Sequence, residues 1–349
     1  MSKVAVVTDS NAGMSQRDAE ENGIYVVPMP FTINGTDYLE GINLSQKEFY
    51  AKLADGADVS TSMPSLGGIS DLFTELLKTH DEIIYVPMSS GLSSSCASAK
   101  AYFEDPDNGF AGKVEIVDNR RISVTQRQSV LDAKKMTIMG KNAREIREIL
   151  EKDALNCSIY IMMDTLHYLK KGGRITPAAA AIGTILRIKP VLQINGEKLD
   201  AFAKARTSGH GKQIMLNAIH EDAFKRFGPL TPENVMIAAA YTYDEEAAAK
   251  WQKEIEAEFP GMVVRTDPLS LSVSCHIGPG ALAVTITKRM RFDENDAYIE
   301  PAENEVRSEK EIKKAKALTE KEELRKKKFA SRQEKRREKE AWKEQKKNG

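Results

Sequence analysis

The sequence predicts an α/β protein of two α/β domains. The first is a doubly wound parallel sheet, the second a mixed or antiparallel sheet with helices, and a charged C-terminal tail, helical or disordered, follows. Three observations predict this. Up to about residue 153, short β-branched runs alternate with helical stretches, the pattern of a parallel sheet. Beyond residue 157 strand-like runs lie on either side of an Asn195-Gly196 turn, which suits a hairpin. From residue 301 onward, 29 of 49 residues are charged and no apolar period is sustained. The expected boundaries are residues 1–155, residues 156–290, and a linker with a highly charged basic tail over residues 291–349.

The elements follow in order. Residues 3–8 form a short apolar run that ends in Asp9-Ser10-Asn11, a buried strand opening into a polar turn. Residues 23–30 give a second strand. A helix is expected over 45–53, with Ser45 as N-cap and Glu48 three residues later, a capping-box pattern. Residues 65–79 form an amphipathic helix with Ser65 as its N-cap. A strand at 82–87 runs into the hydroxyl-rich segment Ser89–Ser95, followed by a helix at 96–103. A strand at 113–117 and helices at 123–139 and 143–153 complete the first domain. In the second, strands are expected at 158–164, 189–194, 198–205, 235–243, 262–268 and 281–287. Helices are expected at 177–186, 210–227 and 245–259. The segment 270–280 reads as a loop into the last strand.

Charge and composition exclude several classes. Lys and Arg number 51, as do Asp and Glu, so the net charge is zero. That zero hides an asymmetry: residues 301–349 carry 18 basic and 11 acidic residues, residues 1–300 carry 33 and 40. An acidic body and a basic arm cancel. No apolar stretch approaches the ~20 residues of a membrane helix. Asp9 interrupts the N-terminal run too early for a signal peptide, so a cytoplasmic location is expected. Cys96, Cys157 and Cys275 have no metal-ligand spacing and read as reduced, buried thiols.

Chemistry is expected at Ser/Thr clusters near predicted strand ends, where open parallel sheets bind ligands. Ser89–Ser95 is the richest, and amides freed by Gly91 and the following helix suit an anion nest. Thr61-Ser62-Met63-Pro64-Ser65 is the second. No nucleotide-binding fingerprint, metal-spaced histidine pair or Gly-x-Ser-x-Gly elbow is present. Among five histidines, His80, His167 and His220 read as structural. His276 stands out because it precedes the tight turn Gly278-Pro279-Gly280, a position from which it can meet an anion or transfer a proton.

Read together, Asp9-Ser10, Thr61-Ser62-x-Pro64-Ser65, Ser89-Ser90-Gly91-Leu92-Ser93, Leu166-x-Tyr168-Leu169-Lys170-Lys171-Gly172-Gly173-Arg174, Ile188-Lys189-Pro190, Arg206 and His276-x-Gly278-Pro279-Gly280 occur in the order seen in the DegV family. The chain resembles that family of bacterial fatty-acid-binding proteins (FakB type) over roughly residues 3–290. The resemblance implies a non-catalytic carrier subunit with no cofactor. It would bind a long-chain fatty acid and present the carboxylate to a partner fatty-acid kinase, which makes the acyl phosphate. Thr61, Ser62 and Ser93 match the positions that hold the carboxylate, with the amides around Ser94 assisting and His276 beside the head group. Arg174 and Arg206 match residues facing the head group and the kinase. A buried carboxylate needs charge-assisted hydrogen bonds, and each buried methylene of the tail contributes ~0.8 kcal/mol. The sequence departs from the family pattern at Met63, at Gly13-Met14, at Ser94-Ser95-Cys96 after Ser93, and over residues 119–128.

Two other expectations stand beside this. One is a stand-alone phosphotransferase or hydrolase acting on a small acyl or phosphate compound through His276. The other concerns the basic arm, whose net +7 suits electrostatic contact with anionic lipid or RNA, placing the protein at the membrane periphery, unless the arm is only a solubilising extension.

Overall fold

The computed structural model describes residues 2–182, 188–196 and 198–301. The expectations for the basic arm fall on residues 302–349 and so lie outside the described residues.

Strand β1 (Val4–Asp9) is buried along its whole length, as its β-branched composition requires of a central parallel strand. Helix α1 (Gln16–Glu21) leads to β2 (Tyr25–Val27), and then the chain leaves this sheet. Strands β3 (Pro30–Ile33) and β4 (Thr36–Leu39) form a hairpin across Asn34-Gly35, whose φ values of 49° and 80° are those of a primed two-residue turn. Helix α2 (Gln46–Ala54) starts at Ser45 with the full capping box to Glu48. Strand β5 (Val59–Thr61) then pairs with β3, closing a small antiparallel sheet in the order β4-β3-β5. The single strand expected over residues 23–30 is therefore two, β2 and the start of β3. They separate because Pro28 and Pro30 cannot donate to a ladder.

Helix α3 (Leu66–Leu76), capped by Ser65, precedes β6 (Glu82–Val86), α4 (Ser95–Phe103) and β7 (Val114–Ile116). Helices α5 (Ser123–Ile138) and α6 (Ala143–Lys152) follow. The parallel sheet has the order β2-β1-β6-β7. The chain winds from β1 to one side and later returns to the other, so a topological switch point lies at the C-terminal end of β1.

The second sheet is built from β8 (Cys157–Met162), β9 (Lys189–Ile194), β10 (Asp200–Ala205), β11 (Val235–Tyr241), β12 (Arg265–Pro268) and β13 (Leu282–Lys288). Its order is β10-β9-β8-β13-β11-β12. Only the β11–β12 pair is parallel, so the sheet is mixed. Strands β9 and β10 form the hairpin expected around Asn195-Gly196. One face of this sheet carries Tyr160, Met162, Ile237 and Val284 and packs with Ile219 of α9 (Ser208–Asp222) and Trp251 of α10 (Glu245–Glu258). The opposite face carries Ile159, Ile161, Ala283 and Ala240 and packs on Met88, Leu92, Ile122 and Val124 from the parallel-sheet half. Helix α5 joins the two halves, with β1 and β6 on one side and β11 and β13 on the other.

Two short helices in the second half bear on function. Helix α7 (His167–Gly172) ends at Gly173 in the left-handed conformation, and helix α8 (Pro177–Ile182) follows. Residues 270–280, expected as a loop, contain helix α11 (Leu271–Ile277). Ser270 caps it by accepting from Val273 N, which turns a serine-rich stretch into a helix start. His276 thus sits in the last turn of a helix rather than in a turn. Strands β14 (Arg291–Phe292) and β15 (Tyr298–Ile299) close the described chain as a hairpin. Cys96, Cys157 and Cys275 are buried and free.

Candidate functional site

The end of β1 organises the site. The Asp9 carboxylate is fully buried and accepts three N–H groups: Met88 N at 2.9 Å, Asn11 N at 3.0 Å and Gln126 Nε2 at 3.0 Å. Burial raises its pKa, which these hydrogen bonds counter. Ser10 Oγ accepts Met29 N at 3.0 Å. The Asp9-Ser10 pair therefore does not face a ligand. It pins the starts of two other segments, the one entering β3 and the hydroxyl loop after β6.

The hydroxyl loop is closed by its own first residue. Ser89 Oγ donates to Gly196 O in the β9–β10 turn at 2.8 Å and accepts Gly91 N, while Ser89 O accepts the amides of Leu92 and Ser93. The amide of Gly91, expected to be free for an anion, is thus already bonded. The hydroxyls are what remain. Ser93 Oγ lies 3.0 Å from Ser95 Oγ and accepts Ser95 N at the start of α4. Ser94 is exposed, and its side chain makes no cap hydrogen bond.

Across from this loop, Thr61 at the end of β5 places Oγ1 2.8 Å from His276 Nε2. Lys171 on α7 pairs with Asp58 and donates to Val59 O, fastening β5 to the Lys-Gly-Gly-Arg segment. Arg174 donates to Leu92 O at 3.3 Å and to Gly172 O at 2.5 Å, so its guanidinium bridges the hydroxyl loop and α7. The His276 pKa is pushed down to about 4 by burial first and by the Arg174 charge second. The imidazole is therefore neutral near pH 7. Its Nδ1 has no partner among the described residues and lies against Gly172. The fixed positive charge at this place is Arg174, and the hydroxyls and the imidazole supply directional hydrogen bonds.

These side chains stand on one cavity of about 200 Å³. Its lining brings together Thr61, Ser62, Ser93, Ser94, Arg174 and His276. Arg206 is not in the lining. It is exposed just past the end of β10. The rest of the cavity is apolar. One wall is the inner face of the mixed sheet, where register sets two rows: Ile194, Ile159 and Thr285, then Ile161, Ala283 and Ala240. Alternate residues of a strand share a face, so this wall follows directly from the strand pattern. Alanines at the centre of the second row leave room that larger side chains would fill. The facing wall includes Met88 and Leu92 from the parallel half and Ile122 and Val124 from the start of α5. An apolar cavity with a few convergent polar groups at the carboxyl ends of strands is the usual form of a small-molecule site.

Asn11, Ser272, Ser123 and Thr285 also line the cavity, and sequence reasoning did not single them out. Ser272 Oγ donates to Asn11 Oδ1 at 2.8 Å. For Ser272 the signal was available in the helical spacing of Ser272 and His276, which puts both on one face of α11. Among the described residues, no group of three or more His, Cys, Asp or Glu side chains is placed to hold a metal ion. No helix of the described residues is long and apolar enough to cross a membrane.

The fold and site define a ligand-binding α/β protein whose cavity lies where its parallel and mixed sheets face one another. The chain belongs to the DegV family: a model for that family, described as uncharacterised, matches residues 3–289. Protein DegV of Bacillus subtilis is 30% identical over 283 residues, covering 80% of this chain and 98% of the relative. Among solved structures, a fatty-acid-binding DegV family protein from Thermus thermophilus aligns with a TM-score of 0.74 at 27% identity, over 82% of this chain and 100% of that one. DegV of Bacillus subtilis, described as a fatty acid binding protein, aligns with a TM-score of 0.73 at 28% identity, over 83% of this chain and 100% of that one.

Proposed function

We propose that this chain binds a long-chain fatty acid, with its tail in the apolar cavity and its carboxylate among Thr61, Ser62, Ser93, Ser94 and His276. The single observation that carries this is the composition of the one lining: hydroxyls and an imidazole gathered at one place beside Arg174, continuous with two hydrocarbon walls. A carboxylate there accepts hydrogen bonds from groups that otherwise bond only to one another, and Arg174 offsets its charge. The tail supplies the affinity through buried methylenes at ~0.8 kcal/mol each. The fatty acid binding described for the Thermus thermophilus and Bacillus subtilis relatives supports the same ligand.

The role is that of a cytoplasmic carrier that presents its carboxylate to a fatty-acid kinase, and not of an enzyme by itself. A neutral His276 hydrogen-bonded to Thr61, with no carboxylate behind it, is better suited to holding a head group than to activating a nucleophile. Arg206, exposed and outside the cavity, is assigned to the kinase-facing surface. Contact of the basic arm with anionic lipid or RNA belongs to the same proposal, since the cargo comes from or returns to membranes.

Titration of the delipidated protein with a fluorescent fatty acid tests this. Ser93→Ala should weaken binding about tenfold, the loss of a charge-assisted hydrogen bond. His276→Ala should reduce kinase-dependent acyl phosphate at least as much as binding. Absence of binding by the wild-type protein overturns the proposal.

A further inference from the structure

One part of the cavity lining is polar without belonging to the head-group cluster. Ser123 opens α5 and lines the cavity between Ile122 and Val124. It is 6% exposed, and its Oγ has no hydrogen-bond partner among the described residues. Its backbone is left-handed, with φ at 55°, which a non-glycine residue seldom adopts. A buried hydroxyl left unbonded is costly, and native interiors rarely keep one without a reason. A plain hydrocarbon tail offers it nothing. On the sheet wall, Ile159 and Ile194 are hydrocarbon, and the Thr285 hydroxyl already donates to Ala238 O at 3.3 Å.

The start of α5 is a second and independent polar feature at the same place. The first amides of a helix have no acceptor within it, and the N-cap residue here is Ile122, which makes no side-chain cap hydrogen bond. The helix is 16 residues long, so its N-terminal end carries a full partial positive charge. Residues 122, 123 and 124 all contribute to the lining. Both features call for an acceptor oxygen inside the cavity, at a position that the head-group carboxylate does not occupy when it is held by Thr61, Ser93 and His276.

We propose that the cavity selects an oxygenated acyl chain, a hydroxy or oxo fatty acid whose chain oxygen accepts from Ser123 Oγ and the first-turn amides of α5. This rests on the fatty-acid binding proposed above and adds to it the substituent that the tail carries. The test uses the full-length, delipidated protein with stearate and a series of stearates bearing a hydroxyl or an oxo group at successive carbons. At one position both substituted acids should bind about fivefold tighter than stearate, the worth of one net hydrogen bond. The gain should vanish in Ser123→Ala while stearate affinity holds. Ser123→Gly, which accepts the left-handed backbone, repeats the test should the alanine variant not fold. Tightest binding of plain stearate across the whole series overturns the proposal, as does a gain that survives in both variants or one confined to the hydroxyl series. Failure of every acid, stearate included, overturns fatty-acid binding itself and is thereby distinguishable.

Discussion

The imidazole of His276 occupies the space where a side chain at position 172 would begin. A β-carbon on Gly172 would overlap Nδ1 and lie 2.8 Å from Cε1 of the ring. One turn away along the same two helices the relation is reversed. The Tyr168 ring fills the space a β-carbon on Gly278 would need, and Gly278 also has φ at 75°. Helices α7 and α11 thus interlock ring against glycine twice. The Lys-Gly-Gly-Arg and His-x-Gly-Pro-Gly segments, far apart in sequence, are two sides of one contact, and that contact fixes where the His276 Nε2 meets Thr61.

Gly172→Ala should therefore displace the imidazole. Overpacking of this kind costs about 1–3 kcal/mol. Because Nε2 loses its register with Thr61, fatty-acid affinity should fall at least tenfold, measured by titration alongside urea denaturation. An unchanged affinity in a stably folded variant contradicts the positioning role.

Asp9 should act on the site from behind. Asp9→Ala strands the Met88, Asn11 and Gln126 donors in the interior. Each buried donor left unbonded costs about 1–3 kcal/mol, so a loss of roughly 3 kcal/mol or more in denaturant unfolding is expected. Acid binding should weaken too, since Met88 begins the loop that carries Ser93. Asp9→Asn, which keeps an acceptor oxygen, should lose less on both measures.

Glu40 gives the fold a pH dependence. Its carboxyl accepts the amides of Leu271 and Ser272 (the latter at 2.9 Å), yet burial dominates and raises its pKa to about 7 from 4.5. The unfolded chain releases this proton near 4.5 and the folded chain near 7, so the folded state binds more protons between those values. Stability from this group is fully present below pH 4.5 and is lost as pH rises through about 7. The Tm difference between Glu40→Gln and the wild-type protein should accordingly grow in favour of the variant from pH 5 to pH 8. A difference that stays flat contradicts the burial of Glu40.

The parallel half was legible in the sequence because its signals are local. The β-branched run of β1, the capping box of Ser45 and Glu48, and the N-cap Ser65 each state their own structure. The site residues could be named from motif order, and Thr61, Ser62, Ser93, Ser94, Arg174 and His276 do share one cavity, whereas Arg206 lies outside it. Three things were not legible. Asp9-Ser10 looked like ligand-facing groups, and only three-dimensional pairing reveals that they hold Met88 and Met29. Helix α11 was hidden because serines suit loops and N-caps equally, and Ser270 turned out to cap. Arg121, one of the departures from the family pattern, is fully buried and pairs with Asp153 at 2.7 Å, while its carbonyl accepts Ser89 N. A charged residue in such a place can be assigned only once its partner, 32 positions away, is known.

The central claim, a fatty acid seated with its carboxylate between Thr61, Ser93 and His276, is tested most directly by native mass spectrometry of the protein purified from a bacterial host. One added mass equal to a C14–C18 acid should appear on the wild-type protein and be much reduced on Ser93→Ala. A wild-type protein that carries no such mass, and gains none when incubated with the free acid, would contradict the account.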